Sequence, residues 1–343
     1  MRFALAAFAL AVAPQALPQE AAREDLAARP AVIAPLASRS LLLDLAWAGS
    51  RVFVVGERGH ILHSSDAGKS WTQAPVPASE NLTAVYFADG KNGWAVGHAE
   101  TIVRTQDGGE SWDLVHFEPE NAQPLLDVCF ADASRGVAVG AYGMIYMTAD
   151  GGAVWSQVPF EPAALPGAAK VEATADEMEA DVDLGFEFHL NSIARGPPGR
   201  MYLGAEAGRL FRSDDDGVHW RELPSPYDGS FHGILPLEGD TVLAFGLRGN
   251  LYRSEDGGTS WTAIPTGTTV LLNSGARIDE QTVVVAGMAG VLLVSRDGGR
   301  SFDLTQQDDR KAFSAVVPSD DGELIVAGEG GVRRLALPAG GAK

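Results

Sequence analysis

Six aspartates recur in one short motif, and their carboxylates are the first candidates for chemistry in this chain. The motif reads Ser/Thr-x-Asp-x-Gly-x-x-Trp or a close variant, and its aspartates are Asp66, Asp107, Asp150, Asp215, Asp256 and Asp297. Carboxylates act as general acids, general bases or metal ligands only where they converge on one point. Their residue numbers differ by 41, 43, 65, 41 and 41, which indicates a repeated unit that spreads them around a ring.

Turn formation explains the motif better than catalysis does. An aspartate can accept N–H bonds from its own turn, and a glycine such as Gly109 adopts a positive φ at no steric cost. The tryptophan that ends most copies is suited to packing between neighbouring units. We therefore predict six structural turns, and no catalytic, cofactor-binding or metal-binding site.

Three further columns of residues repeat in step with the motif. An apolar run that ends in glycine precedes it, at Gly56, Gly97, Gly140, Gly204, Gly246, Gly287 and Gly328. Upstream lies a Leu/Phe column, at Leu42, Leu82, Leu125, Leu190, Phe231, Leu272 and Phe313. Two residues later comes a small or polar column, at Asp44, Ala84, Asp127, Ser192, Gly233, Ser274 and Ala315. Each unit thus contains four short strands, A to D, and the repeat predicts an all-β, seven-bladed β-propeller over residues 30–337.

The seventh unit lacks the Asp motif, so its fourth strand has to come from elsewhere. After Gly328 the sequence reads VRRLALP, and residues 338–343 are left as a tail. Residues Pro30–Ala37 precede the first unit as WTQAPVPA precedes the second. We predict that Pro30–Ala37 form the outer strand of the last blade and close the ring.

Residues 1–22 are predicted to be a signal peptide, with cleavage between Ala13 and Ala22. Arg2 is positively charged and Phe3–Ala13 is an apolar stretch of 11 residues, which is too short to span a bilayer. An uncleaved anchor is the alternative. We expect export to the periplasm, or to the thylakoid lumen if the organism is photosynthetic.

Other polar residues could act in catalysis or metal binding, but their spacing matches no known motif. Four lie near the starts of A strands and have neither metal-ligand spacing nor a nucleophile motif: His189, Asn191, His232 and Asn273. The run Asp214–Asp216 resembles part of a calcium loop but lacks the full pattern. We interpret that run as a variant turn.

The repeated motif is similar to the Asp-box, or BNR, repeat of sialidases, xyloglucanases and other propellers. The longer pattern over Asn92–Trp112, NGWAVGHAETIVRTQDGGESW, resembles the photosystem II stability/assembly factor family, and the resemblance covers about residues 30–337. It implies a seven-bladed propeller without enzymatic activity, and we expect a bacterial relative. It also implies docking through an arginine-rich patch, whereas the arginines here are scattered: Arg58, Arg104, Arg209, Arg212, Arg248 and Arg253.

Charge narrows the class of partner. The formal net charge of −19 and the pI near 4.7 argue against nucleic acid and against direct binding to anionic membranes. The resemblance implies a membrane protein or membrane-associated complex, whose assembly or stability a monomeric scaffold would assist. The alternative is a carbohydrate-active or carbohydrate-binding propeller, which as a glycosidase would need two facing carboxylates. No such pair stands out by spacing.

The predicted partner-binding face is the one that carries the B–C turns. Antiparallel turns alternate between the two ends of a blade, and variable loops on a rigid scaffold are common binding sites. The candidate contact residues are Glu57, Arg58, His60, His98, Glu100, Tyr142, Glu206, Arg209, Arg248 and Asn250, with Met288 and Glu329 beside them. An acidic insertion, residues 161–188 between blades 3 and 4, is a candidate partner-binding or channel-capping element on the same face. A solvated loop is the alternative.

Overall fold

Each repeat folds into one antiparallel sheet whose strands follow chain order, because every tight turn joins neighbouring strands. A computed structural model describes residues 28–165 and 188–339. The predicted signal peptide and residues 166–187 of the acidic insertion lie outside the described residues. The described chain is a seven-bladed β-propeller, as the repeat predicts, with six four-stranded blades and one three-stranded blade.

The strands are numbered in chain order, from the innermost to the outermost of each blade. Blade 1 contains β1 (Leu42–Ala48), β2 (Arg51–Gly56), β3 (Ile61–Ser64) and β4 (Thr72–Gln73). Blade 2 contains β5 (Leu82–Phe87), β6 (Gly93–Gly97), β7 (Ile102–Thr105) and β8 (Asp113–His116). Blade 3 contains β9 (Leu125–Phe130), β10 (Gly136–Gly140), β11 (Ile145–Thr148) and β12 (Ser156–Gln157). Blade 4 contains β13 (Leu190–Arg195), β14 (Met201–Ala205), β15 (Leu210–Ser213) and β16 (Arg221–Glu222).

The remaining three blades continue the same order. Blade 5 contains β17 (Phe231–Pro236), β18 (Val242–Gly246), β19 (Leu251–Ser254) and β20 (Thr262–Ala263). Blade 6 contains β21 (Leu272–Arg277), β22 (Val283–Gly287), β23 (Val291–Ser295) and β24 (Asp303–Gln306). Blade 7 contains β25 (Phe313–Pro318), β26 (Glu323–Gly328) and β27 (Arg333–Ala336).

Every innermost strand carries a β-bulge near its start. The register shifts between the first and third residue of the strand in all seven blades, for example between Leu42 and Asp44. A bulge leaves one residue unpaired and increases the local twist. The extra residues line the centre of the ring, and they are Leu43, Thr83, Leu126, Asn191, His232, Asn273 and Ser314.

In six of the seven blades a glycine ends strand B beside the start of strand A. A Cβ on Gly97 would lie 2.0 Å from the carbonyl oxygen of Asn81, a distance that no side chain tolerates. In blade 4 the residue that pairs with Leu190 is Ala205. The prediction that Gly204 belongs to this column is therefore wrong by one residue.

The hydrophobic core lies between the blades, where apolar side chains of one sheet pack on the next. The indole of Trp94 in blade 2 stacks on Phe130 of blade 3, with ring centroids 3.5 Å apart. Trp112, from the Asp motif of blade 2, meets Phe53 of blade 1 edge-on at 6.4 Å. Burial of such large rings is what a propeller gains from joining its sheets.

The prediction that Pro30–Ala37 close the ring as a strand of blade 7 is wrong. Residues 30–36 form no strand, and this segment bonds to blade 1 instead. Ala31 N donates to Val76 O at 2.9 Å, and Ala34 N donates to the Gln73 side chain at 2.8 Å. An extended apolar segment can bind either sheet edge, and the Gln73 amide captures it at blade 1.

The ring closes through side chains and turns at the junction of blades 7 and 1. Arg334 Nη1 donates to Ala67 O at 3.0 Å, and Trp47 Nε1 donates to Pro318 O at 2.9 Å. Val332 N also donates to a main-chain oxygen in the segment before β1. Inner-strand packing and these bonds replace the expected closing strand.

Candidate partner-binding face

Three-residue B–C turns shape the predicted binding face. The middle residue has a left-handed backbone, with φ of 57° at Arg58, 53° at Tyr142 and 58° at Arg248. Met144 N, just after one such turn, closes it by donating to Ala141 O at 3.0 Å. Left-handed backbone costs a non-glycine residue about 1–2 kcal/mol. Here it directs the side chains of Arg58, Tyr142 and Arg248 into solvent.

Glutamates at the first position of these turns bind the main chain of their own blade. Glu206 Oε2 accepts the N–H of His189 at 3.0 Å, and Glu329 Oε2 accepts that of Ala312 at 3.0 Å. Glu57 accepts the equivalent N–H of blade 1 at 3.4 Å. In each case the donor is the residue just before strand A. These glutamates therefore stabilise the turns.

Two of the predicted contact residues are buried. His60 is 3% exposed and Glu100 is 1% exposed. Glu100 occupies a turn position that is glycine in the other six blades, and it has a φ of 51°. Its carboxylate accepts the Tyr146 hydroxyl at 2.6 Å, and His116 Nε2 lies 3.6 Å away. The prediction that His60 and Glu100 face a partner is wrong, because their side chains point into the protein.

Two further candidates are held by neighbours on the same face. The Arg209 guanidinium lies 4.6 Å from the ring centroid of Phe188, and its Nε donates to Glu222 at 3.0 Å. Asn250 Nδ2 donates to Leu247 O at 3.0 Å. Both residues are half-buried. Their bonds order the turns from which more exposed side chains project.

The predicted contact residues that remain exposed lie on the same face as exposed apolar residues. Tyr142 is 58% exposed, Met288 39% and Leu247 36%. Together with three polar residues they form a surface that we call the mouth face: Arg58, His98, Tyr142, Leu247, Arg248 and Met288. A mixture of aromatic, aliphatic and basic side chains is typical of the centres of protein–protein interfaces.

A cavity of about 220 Å³ lies at the centre of the ring. All seven blades line it through strand A, and its polar side chains are Asp44, Thr83, Asp127, Asn191, Ser192, His232, Asn273, Ser274 and Ser314. None of its described lining residues is lysine or arginine. Because the bulges lie at the starts of the A strands, these side chains sit at the end of the channel nearest the mouth face.

Channel side chains bond several of the blades to the next one. Asn191 Nδ2 donates to Phe231 O at 2.8 Å, and Asn273 Nδ2 donates to Phe313 O at 2.7 Å. Both acceptors are the first residues of the neighbouring A strand. The bulged residues thus satisfy carbonyl groups that the blade-to-blade junction would otherwise leave unpaired.

Asp44 and Asp127 also join neighbouring blades, but their side chains accept hydrogen bonds instead of donating them. Asp44 Oδ2 accepts Val85 N at 2.8 Å, and Asp127 Oδ2 accepts Ile193 N at 2.8 Å. Burial raises the pKa of Asp44 to about 7. Burial, and then the nearby Asp44, raise the pKa of Asp127 to about 8. The sequence shows this column of small or polar residues, but its spacing alone does not reveal the partners.

The cavity does not resemble the sugar site expected of the alternative function. The one aromatic residue in its described lining is Phe245, which is 1% exposed. His232 has its pKa lowered by burial. Within the described ranges, no group of three or more His, Cys, Asp or Glu residues could hold a metal ion. The Asp44 and Asp127 carboxylates serve the junctions between blades.

The six Asp turns lie at the opposite end of the blades, between strands C and D. In blade 2, the N–H and hydroxyl of Ser111 donate to Asp107 at 3.0 and 2.6 Å. Gly109 N donates to Thr105 Oγ1 at 2.8 Å. The pKa of all six aspartates is lowered, and for Asp107 the largest cause is the Ser111 hydroxyl. Each carboxylate binds its own turn, so the six do not converge.

Known proteins match the same part of the chain. A family model described as "Photosynthesis system II assembly factor YCF48" matches residues 72–186. The chain is 31% identical over 103 residues to the photosystem II stability/assembly factor HCF136, chloroplastic, of Arabidopsis thaliana. That match covers 27% of this chain and 25% of the relative. The chain is therefore similar to photosystem II assembly factors over about a third of its length.

Solved structures share the propeller fold of this chain. The structure "YCF48 bound to D1 peptide" has a TM-score of 0.67 at 18% identity, and the match covers 90% of this chain and 96% of that one. Virginiamycin B lyase of Staphylococcus aureus has a TM-score of 0.68 at 12% identity, covering 90% of this chain and 99% of that one. Identities this low show the fold alone, and the fold is shared by an enzyme.

Two of the scattered arginines, Arg212 and Arg253, lie at the junctions between blades. Arg212 Nη1 donates to Gly257 O at 3.1 Å, and Arg253 Nε donates to Gly298 O at 3.2 Å. Both acceptors belong to the Asp turn of the next blade. Arg212 also pairs with Asp214 at 2.7 Å. The scattered arginines Arg212 and Arg253 therefore have structural partners.

The part of the chain that the structure describes contains no helix long and apolar enough to cross a membrane.

Proposed function

We propose that the protein is a non-enzymatic assembly scaffold that binds a membrane protein or membrane-associated complex through its mouth face. The family supports an assembly role, and a relative of the same fold is bound to a peptide named D1. The occupant of the mouth face would be a segment that the partner extends beyond the membrane. Binding would hold that segment until assembly is complete.

The exposure of Tyr142 carries this proposal. A tyrosine that is 58% exposed leaves a large apolar ring in water, and a left-handed backbone with a φ of 53° holds it there. One edge of the ring packs on His189, with centroids 4.8 Å apart, and a tyrosine held in this way is a common anchor of protein–protein interfaces. Arg58 and Arg248 project from equivalent turns of blades 1 and 5 and would contact polar groups at the rim of the interface.

The remaining features of the proposal follow from charge and from the N-terminal sequence. The net charge of −19 disfavours nucleic acid and anionic lipid, so the scaffold recognises protein rather than the bilayer surface. We infer a monomer that is exported by residues 1–22, to the periplasm or to a thylakoid lumen. Detection of the chain only in the cytoplasm would contradict export.

Site-specific photocrosslinking in the native cell tests the mouth face. A photoreactive amino acid replaces Tyr142 in one strain and Val154 in another. Val154 is the matched control, because it belongs to the same blade, is 63% exposed and lies in the Asp turn at the opposite end. The expected result is a membrane-protein adduct at position 142 and none at position 154.

Two results would overturn the proposal. Adducts of equal yield at both positions would show that the mouth face is not selective. Capture of glycan instead of protein at position 142, supported by binding of the purified chain to a glycan array, would favour the carbohydrate alternative.

A further inference from the structure

Blade 7 has an open edge where the other blades have a fourth strand. β27 pairs with β26 from Glu323↔Ala336 to Val326↔Arg333. Among the described residues, its main chain has no partner on the outer side. β27 is only half-buried and ends at an exposed residue, whereas its counterpart β19 is buried throughout. Unpaired strand edges of this kind accept additional strands.

A groove of about 640 Å³ lies beside this edge, and basic side chains surround it. Its charged residues are Arg39, Lys69, Lys311, Arg333 and Arg334, and the indole of Trp71 lines it as well. Arg333 and Arg334 already pair with carboxylates. In the described ranges, the side chains of the other three make no hydrogen bond or ion pair. These cations attract negative charge to the groove, although the net charge of the chain is −19.

Outer edges elsewhere in the ring already hold extended chain. Ala163 N donates to Trp220 O at 2.8 Å, and Glu222 N donates to Ala163 O at 3.0 Å, so a segment lies parallel to β16. The segment around Ala31 binds the outer side of blade 1 in a related way, through Val76 O. The rim of this propeller therefore binds extended backbone, and blade 7 has one strand fewer than the other six blades.

We propose that the open edge of blade 7 binds an extended, acidic peptide segment of a partner protein, which adds to the sheet as its fourth strand. The main chain of β27 would supply hydrogen bonds, while the free cations select acidic side chains. Trp71 offers an apolar surface for one side chain of the peptide. This site lies on the outer rim and does not depend on the function proposed for the mouth face.

The chain's own N-terminal residues complement the groove less well. Residues 1–27 contain three acidic residues and two arginines, so their net charge is close to zero. They also precede a segment that bonds to blade 1 rather than to blade 7. A partner segment rich in glutamate or aspartate matches the groove better.

Binding of synthetic peptides to the purified mature chain tests the proposal. The probe is a fluorescent eight-residue peptide of alternating glutamate and valine, and its binding is followed by anisotropy. A peptide of alternating lysine and valine is the charge control, and an N-methylated glutamate–valine peptide removes main-chain donors. We expect only the unmodified acidic peptide to bind, and Lys69→Glu with Lys311→Glu to weaken it about tenfold. Lys91→Glu, at an exposed site in the A–B turn of blade 2, is the matched control.

Each other outcome counts against the proposal. Equal binding of acidic and basic peptides, or undiminished binding of the N-methylated peptide, would overturn strand addition. Binding that appears only after removal of residues 1–27 would assign the edge to the chain itself. Dimerisation that Lys311→Glu abolishes would assign it to a second copy. Thermal melts of every variant establish that weakened binding does not come from unfolding.

Discussion

Asp107 and Asp127 both accept main-chain N–H bonds, yet their pKa values move in opposite directions. Asp107 lies in an exposed Asp turn, where a serine N–H and hydroxyl lower its pKa to about 2. Asp127 lies in the channel and accepts Val128 N and Ile193 N, each at 2.8 Å, but its pKa rises to about 8. Hydrogen bonds favour the charged form at both sites, and exclusion of water outweighs them only in the channel.

The difference shows how one side chain serves two purposes in this ring. An exposed aspartate keeps its hydration and adds turn bonds, so it holds a loop at little cost. A channel aspartate joins two blades but gives up water, with no lysine or arginine in the described cavity lining to compensate. The Asp turns should therefore contribute most to stability at neutral pH, whereas the junctions formed by the channel aspartates should be most stable in acid.

The largest expected effect is a change in pH dependence on Asp127→Asn. Asp127 has a folded pKa of about 8 against an ordinary value of 3.8, so folding binds a proton that the unfolded chain loses above pH 4. The resulting penalty grows from about pH 4 to pH 8. Asparagine does not titrate, so the variant should gain roughly 3 kcal/mol relative to the wild type over that range. That figure lies below the full linkage energy because channel water partly screens the half-buried group.

Urea unfolding at pH 4 and pH 8 measures this gain. Comparing the two pH values cancels any constant cost of the amide in place of the carboxyl group. Asp113→Asn, at an exposed aspartate of β8, is the matched control for the same chemical change at the surface. Parallel profiles for Asp127→Asn and the wild type would show that the channel carboxylate is not perturbed.

Asp127→Ala at pH 4 should have the next largest effect. At that pH the proton-binding penalty is small, and the substitution leaves the N–H groups of Val128 and Ile193 without acceptors. An unsatisfied buried donor costs about 1–3 kcal/mol, so we expect a loss of roughly 2–4 kcal/mol in the free energy of unfolding. The matched control is Ser192→Ala, in the same column of blade 4. Its hydroxyl is buried and has no partner among the described residues, so its removal should cost little.

The blades were predictable because their motifs act within one repeat. The pairing of segments that are distant in the sequence was not predictable. The Asp motif, the glycine before each B–C turn and the Leu/Phe column each act within one repeat, so their spacing predicts seven sheets. Pro30–Ala37 resembles the other D strands, but its position depends on which edge captures it. The Gln73 side chain, whose role no local pattern reveals, holds that segment at blade 1.

The candidate site was only partly predictable for a similar reason. Turn residues are usually exposed, and Arg58 and Tyr142 follow that rule. Glu100 does not, although its sequence contains a signal: the turn GHAET has glutamate where the other six turns have glycine. The column that contains Asp44 and Asp127 was visible in the sequence. Its role was not, because each of these aspartates accepts an N–H group of the next blade.

Asp107→Ala, in the Asp turn of blade 2, should have the smallest effect on the free energy of unfolding. The substitution removes acceptors for the N–H and hydroxyl of Ser111 and for the hydroxyl of Thr105. The two Ser111 donors are exposed and can bond to water instead, whereas Thr105 is 1% exposed. We therefore expect a loss of about 1–2 kcal/mol at pH 7. The folded pKa lies below the ordinary value, so this stability is present above about pH 4 and is lost as the pH falls toward 2. Urea unfolding at pH 7 and pH 2.5 measures it, with Asp113→Ala as the control. A loss that stayed constant down to pH 2.5, or that exceeded the loss from Asp127→Ala, would contradict the contrast between exposed and channel aspartates.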